Sequence, residues 1–281
     1  MTIRITSDST CDLGHLVKER NIGIHPLQVN LGTECYRDGI DITPEEIFAY
    51  VEKTKTLPKT SAPSIADYQE FFEEQLKDAD AVIHFNISQK SSGSHNMAKQ
   101  AAEEFNGKVR VIDSMALSSG QGLLVMVAAD LRDEGRSVDE IEETVKAVRE
   151  RINTSFIPDR LDYLYKGGRV SKMAMYGANL LKIHPLIYME NGQLVPGKKY
   201  RGKMTVLLKQ YVEDLKTQYP NYDKKRCFIT HSSADRELVD AVREKVEELF
   251  DFDEIIETVA GSIITSHCGK NTIGVLFVYN K

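Results

Sequence analysis

The sequence predicts an α/β fold built as two α/β domains, the first around a mostly parallel sheet with flanking helices and the second around a mixed sheet with helices. Three observations lead there. Strand and helix patterns alternate through the first half, the signature of parallel strands joined by crossover helices. After Asn153 that alternation gives way to a segment punctuated by Gly167-Gly168 and by Asn191-Gly192, a type I′ turn signal that favours an antiparallel pair. At 281 residues the chain also exceeds the usual size of one domain. The division falls at 1–155 and 156–281, with no flexible linker, internal repeat or low-complexity tract to mark it.

Taken in order, Ile3 to Thr6 reads as a short strand, Leu13 to Arg20 as a helix and Ile24 to Leu31 as a second strand. Thr43-Pro44-Glu45-Glu46 supplies an N-cap, a proline at the first helical position and the glutamate of a capping box, so a helix runs to Lys55. Another starts at Ser64 and carries Tyr68, Phe71, Phe72 and Leu76 at three- and four-residue spacing. Ala81 to Ile87 is a buried strand, Ser94 to Phe105 a helix, and Val109 to Ile112 a strand ending at Asp113-Ser114. A long helix follows from Ser118 to Glu134, stopped by Gly135. Ser137-Val138-Asp139-Glu140 is a second capping box and opens a helix to Ile152. Beyond the boundary come a strand (Ile183 to Met189), helices over 203–219 and 234–250, and strands over 226–230, 254–259 and 272–279.

The bulk properties exclude several classes. With 41% hydrophobic and 28% charged residues and a formal net charge of −6, the chain is poorly suited to non-specific binding of nucleic acid or an anionic membrane. No run of about 18 apolar residues occurs, so no transmembrane helix and no integral membrane association are expected. The start, Met1-Thr2-Ile3-Arg4, does not read as a signal peptide. The four cysteines are scattered without a Cys-x-x-Cys pair, which fits reduced thiols in the cytoplasm.

In open α/β sheets, ligands gather beyond the carboxyl ends of strands. Three such ends are rich in hydroxyls: Ser7-Asp8-Ser9-Thr10, Ser88 to Ser94, and Asp113-Ser114. Each serine alone reads as a cap or turn residue. Together they read as an anion site, because hydroxyls and unpaired N–H groups at a helix N-terminus favour negative charge, and Gly93 admits close backbone approach. Catalytic signatures fail one by one. Gly192 to Lys198 fits the first seven positions of a P-loop, but Lys199 stands where Ser or Thr binds magnesium, and a hairpin turn precedes it. Gly120-x-Gly122 lacks the third glycine of a dinucleotide site, and no Gly-x-Ser-x-Gly elbow exists. The seven histidines show no metal spacing. His267, in the polar turn predicted over Ser266 to Asn271, and Arg169, after Gly167-Gly168, each read either as solvated residues or as anion-facing ones. No catalytic residue, metal or cofactor is therefore expected.

Several segments together resemble the DegV family of fatty-acid-binding proteins. They are Ser7 to Leu13, Lys59-Thr60-Ser61-Ala62-Pro63-Ser64, Ser91-Ser92-Gly93-Ser94, Tyr163 to Arg169, Lys182 to Leu186 and Ser266-His267-Cys268-Gly269. The resemblance spans essentially the whole chain and implies two α/β domains with one long-chain, palmitate- or oleate-like fatty acid threaded between them as ligand. It implies that Thr60 and Ser92 bind the carboxylate with help from the Gly93 N–H. Ser61, Ser94, Arg169 and His267 map to a polar network around the head group. The sequence departs from the family at Gly269-Lys270-Asn271, where Gly-Pro-Gly is common, and at Ser91, where leucine is common. Relatives present their acyl chain to a separate ATP-dependent kinase, and Arg201 and Lys203, with Lys198 and Lys199, offer a face for such a partner; a solvated basic loop is the plainer reading. Two rivals remain: a phosphotransferase of a related fold, which needs a nucleotide or metal site, and a regulatory protein that carries lipid structurally.

Overall fold

The computed structural model describes residues 1–170 and 183–280. Strand β1 (Ile3–Asp8) leads through a short 3-10 turn to helix α1 (Leu16–Glu19) and strand β2 (Gly23–His25). Strands β3 (Gln28–Leu31) and β4 (Glu34–Arg37) follow, then α2 (Pro44–Thr54), β5 (Lys59–Ser61) and α3 (Ile65–Leu76). Next come β6 (Ala81–Asn86), α4 (Ser94–Ala102), β7 (Val109–Asp113), α5 (Ser119–Asp133) and α6 (Val138–Arg149). The remainder holds β8 (Ile152–Asn153), β9 (Ser155–Ile157), α7 (Asp162–Gly167), β10 (His184–Glu190) and β11 (Gln193–Tyr200). It closes with α8 (Met204–Gln218), β12 (Tyr222–Ser232), α9 (Arg236–Leu249), β13 (Ile255–Val259), α10 (Ser262–Cys268) and β14 (Thr272–Tyr279).

Three sheets result. One is parallel, in the order β2-β1-β6-β7, and a small antiparallel one has the order β4-β3-β5. The third is mixed, β11-β10-β9-β14-β12-β13 with β8 also on β14, and in it β12 and β13 run parallel while the other pairs are antiparallel. The α/β class with a parallel and a mixed sheet is what the sequence predicts. The capping boxes at Thr43 and Ser137 form, and a third forms at Ser64 with Asp67. Asn191 and Gly192 both take positive φ, as a type I′ turn requires.

Two of the predicted elements that differ do so for a local reason. The strand expected over Ile24 to Leu31 breaks at Pro26, which has no N–H to donate. Its first part stays on β1, and its second turns away to pair with β4 and β5, strands too short and exposed to show a pattern. The helix expected over Leu13 to Arg20 shrinks to one turn, because Asp12 and Gly14 both adopt positive φ.

Helix α5 is the spine between the parallel and mixed sheets, with Leu123 and Leu124 in a core that includes Phe85 and Ile112 on one side and Phe228 and Leu276 on the other. Its glycines are there for close approach. A Cβ on Gly122 would lie 2.6 Å from the Cys11 carbonyl, and one on Gly120 would lie 2.2 Å from Thr154 Oγ1. Between them, fully buried Gln121 donates to Ser7 Oγ and to Asp8. The Gly-x-Gly that fails as a nucleotide motif is a packing seam.

A second buried polar feature is histidine-rich. His25 stacks on Phe71 and meets Tyr68 edge-on, and among the described residues the His84 ring hydrogen-bonds to Thr6 Oγ1 alone. Burial lowers His25 to about 4 and His84 well below its usual range. Above the unfolded value of about 6.5 both states are neutral; below it the unfolded chain takes up protons that the folded chain refuses, so stability falls until about 4 for His25. Urea unfolding at pH 7 and pH 5 should thus show a smaller acid loss for His25→Phe than for the wild type. An equal loss in both would show that His25 does not carry this dependence.

Candidate functional site

A cavity of about 630 Å³ opens where the sheets meet. Thr60 and Ser61 reach it from β5, Ser92 and Gly93 from the loop between β6 and α4, Arg169 from the turn after α7, and His267 from α10. Its rim is polar, with Gln89, Lys90, Glu190 and Gln193 joining these residues. Its depth is apolar, formed by buried Leu27, Ile87, Leu117, Leu164, Leu194, Ile263 and Ile264. None of these apolar residues stands out in the sequence as functional, because each also fits an ordinary core pattern.

His267 lies at the end of a helix, where a polar turn is predicted. The N-terminus of α10 is capped from far away in sequence: the Gly261 N–H donates to Asp12 Oδ1 at 2.9 Å and the Ser262 N–H to Asp38 Oδ1 at 2.8 Å. Carboxyl oxygens at a helix start satisfy its orphan N–H donors. Ser118 Oγ donates to the other Asp12 oxygen and Ser9 Oγ to the other Asp38 oxygen. Burial, with Asp38 and Asp8 nearby, pushes Asp12 up to about 8, and burial also raises Asp38.

At the other end of α10, His267 Nε2 lies 2.9 Å from Thr60 Oγ1. Burial, and secondarily the Arg169 charge, hold His267 down at about 3, so the ring is neutral at physiological pH. Its Nδ1 has no partner among the described residues and faces Gly167, where a Cβ would come within 2.6 Å. Arg169 follows Gly168, which ends α7 in the left-handed conformation. Its Nη1 donates to the Gly167 carbonyl at 2.6 Å, and no carboxylate pairs with it among the described residues.

The other predicted residues are placed differently. Ser92 Oγ accepts from the Ser94 N–H at 3.2 Å and from Ser94 Oγ at 3.1 Å, so Ser94 lies buried behind Ser92, away from the cavity lining. Ser61 lines the cavity, yet its hydroxyl is engaged by Gln28 and Asn30 of the neighbouring strand. A Cβ on Gly93 would meet nothing within 4 Å, which puts open space beside the Ser92 turn. Arg201 and Lys203 are exposed in the β11–α8 connection and do not line the cavity, while Lys198 is paired with Asp214.

Only one of the three hydroxyl-rich strand ends opens on the cavity. At the first, Asp8 accepts from Thr10 N, Thr10 Oγ1, Gln121 Nε2, Asn86 Nδ2 and the Ile87 N–H, a closed internal network. At the third, Asp113 Oδ1 accepts from the Gln89 and Met115 N–H groups. These two ends brace the loop that carries Ser92. The β10–β11 turn braces it as well, since Ser88 Oγ donates to the Gly192 carbonyl at 2.6 Å. No described helix is long and apolar enough to cross a membrane.

The family described as "Uncharacterised protein, DegV family" matches residues 2–280. A protein of Thermotoga maritima named as a fatty acid-binding protein is 32% identical over 291 residues, covering 98% of this chain and 96% of the relative. A DegV domain-containing protein of Deinococcus radiodurans is 31% identical over 277 residues, 98% of each. Among solved structures, that of a fatty-acid-binding DegV family protein from Thermus thermophilus is 30% identical and superposes with a TM-score of 0.93 over 100% of both chains. A stearic acid-binding protein from Eubacterium ventriosum is 26% identical with a TM-score of 0.85, covering 99% of this chain and 98% of the other. The chain belongs to the DegV family.

Proposed function

We propose that this protein binds one long-chain, palmitate- or oleate-like fatty acid in the cavity between residues 1–155 and 156–281, and presents it for lipid metabolism without transforming it. The observation that carries this reading is the Thr60–His267 hydrogen bond on the polar rim of a 630 Å³ cavity whose depth is apolar. That volume lies in the range of small-molecule sites. A neutral His267 in its Nε2–H form donates to Thr60 Oγ1, which leaves the Thr60 proton for a carboxylate oxygen. Ser92, holding two hydrogen bonds from Ser94, has its own proton for the other oxygen. The Gly93 N–H and the Arg169 guanidinium add positive potential at the same rim.

The energetics favour a long tail. Burying about 15 methylenes at ~0.8 kcal/mol each gives on the order of 12 kcal/mol before association and ordering costs. The hydroxyls then hold a charge that is expensive to bury unpaired. Named fatty-acid binders at 26–32% identity over nearly the whole chain support the same ligand class. For presentation, the exposed Arg201 and Lys203 supply a cationic edge suited to a partner acyl kinase that uses ATP.

Mass spectrometry of lipid extracted from the purified protein tests the reading. One long-chain fatty acid per chain is expected. No extracted lipid, together with no uptake of added palmitate or oleate, would overturn it.

A further inference from the structure

Behind the apolar floor of the cavity lies a second, smaller void of about 30 Å³. Among the described residues, three side chains, Leu117, Ile264 and Cys268, line both spaces and so form the partition between them. All three are at most 8% exposed and belong to one apolar cluster with Phe156 and Ala260, which lie on the far side.

By sequence the small void is half polar: Thr154 and His231, whose ring nitrogens meet the Ala234 N–H and Glu257, line it together with five further residues, Ser118, Ser155, Thr230, Ser232 and Thr272. The hydroxyls of these five are all used elsewhere. Ser118 donates to Asp12, Ser155 pairs with Tyr211, and Thr230 bonds Ser119 and Thr258. Ser232 pairs with Thr265, and Thr272 donates to the Cys268 carbonyl. What these residues turn toward the void is carbon. Thr154 Oγ1 is the one buried hydroxyl of its lining that lacks a partner among the described residues. A trapped water needs two to four polar partners, so a space offering one hydroxyl stays dry and suits hydrocarbon. Its volume matches about two water-sized groups.

We infer that Leu117, Ile264 and Cys268 are specificity-determining residues that limit the length of acyl chain the cavity accepts, with the carbon-faced void behind them as latent space for the methyl end of a longer one. This rests on the fatty-acid reading above. The polar rim fixes the carboxylate, so added carbons are pushed toward the buried floor, and the partition is where they stop. Each methylene that finds dry, carbon-lined space is worth about four-fold in affinity, and each that finds none gains nothing or forces a clash.

The test is a chain-length series of saturated acids from laurate to arachidate, titrated against the wild type, Leu117→Ala and the double variant Leu117→Ala with Ala260→Val. Leu117→Ala joins the two spaces, and its preferred length should move up by about two to four carbons, with a gain of roughly ten-fold or more for the longest acids relative to the wild type. Ala260→Val fills the void from behind and should take back part of that shift. Ile264→Val, a milder opening that conserves the fold, should shift the preference in the same direction by less. A wild-type length profile in folded Leu117→Ala and in Ile264→Val would overturn the partition while leaving the fatty-acid reading intact. Failure of the wild type to bind any acid of the series would sink that reading, and the partition with it.

Discussion

Thr60→Val weakens palmitate binding by about 1–3 kcal/mol, and Ser92→Ala does so by a similar amount, on the expectation that each removes a donor from a buried carboxylate oxygen. Valine keeps the shape of threonine, so the cavity wall stays in place and only the hydroxyl is lost. Thr60→Ser keeps that hydroxyl beside His267 and should stay near the wild type. Ser92→Ala also removes the acceptor of two bonds from Ser94, so its thermal midpoint must be measured beside its affinity. If both hydroxyls hold the same carboxylate, the double variant departs from additivity, which a double-mutant cycle by isothermal titration detects. Unchanged affinity in both single variants would place the head group elsewhere in the cavity.

Asp8→Ala is expected to destabilise the fold by about 3–5 kcal/mol, because it strips the shared acceptor from five buried donors at once. Burial raises the Asp8 carboxyl, and the same donors oppose that shift by stabilising its charge. Asp8→Asn retains one acceptor oxygen and should lose less. Since one donor is the Ile87 N–H, at the root of the loop bearing Ser92, ligand affinity should fall along with stability. Urea midpoints read the first effect and titration the second. A loss under about 1 kcal/mol for Asp8→Ala would show that the network rearranges around its absence.

Much of this was legible in the sequence, and the parts that were not share a physical cause. The capping boxes at Thr43 and Ser137, the type I′ turn at Asn191-Gly192 and the change of sheet type are local signals that the structure realises. Helix α10 was not legible, since its caps, Asp12 and Asp38, are more than 200 residues away. Nor was the fate of the hydroxyl-rich strand ends: Ser7 to Thr10 and Ser88 to Ser94 look alike as strings, and only packing shows the first closed around Asp8 and the second open to the cavity. The cluster of Thr60, Ser92, Arg169 and His267 came from the family resemblance. The apolar depth was hidden because a residue such as Leu117 or Ile264 carries the same signature whether it faces a neighbour or a space.

Helix α10 ties together two places in the fold that lie far apart in the sequence. Seven residues span only about 10 Å, so the Asp12–Asp38 grip and the His267–Thr60 contact are the two ends of one stiff rod. A motion that lifts the rod from its acidic socket also withdraws the imidazole from Thr60. Under the fatty-acid reading, a ligand held by Thr60 favours the arrangement with the rod seated, and one present at 100 times its Kd adds about 2.7 kcal/mol to that arrangement when it binds no other. On that reading, a change at the Asp12–Asp38 socket should be felt as a change in ligand affinity at Thr60.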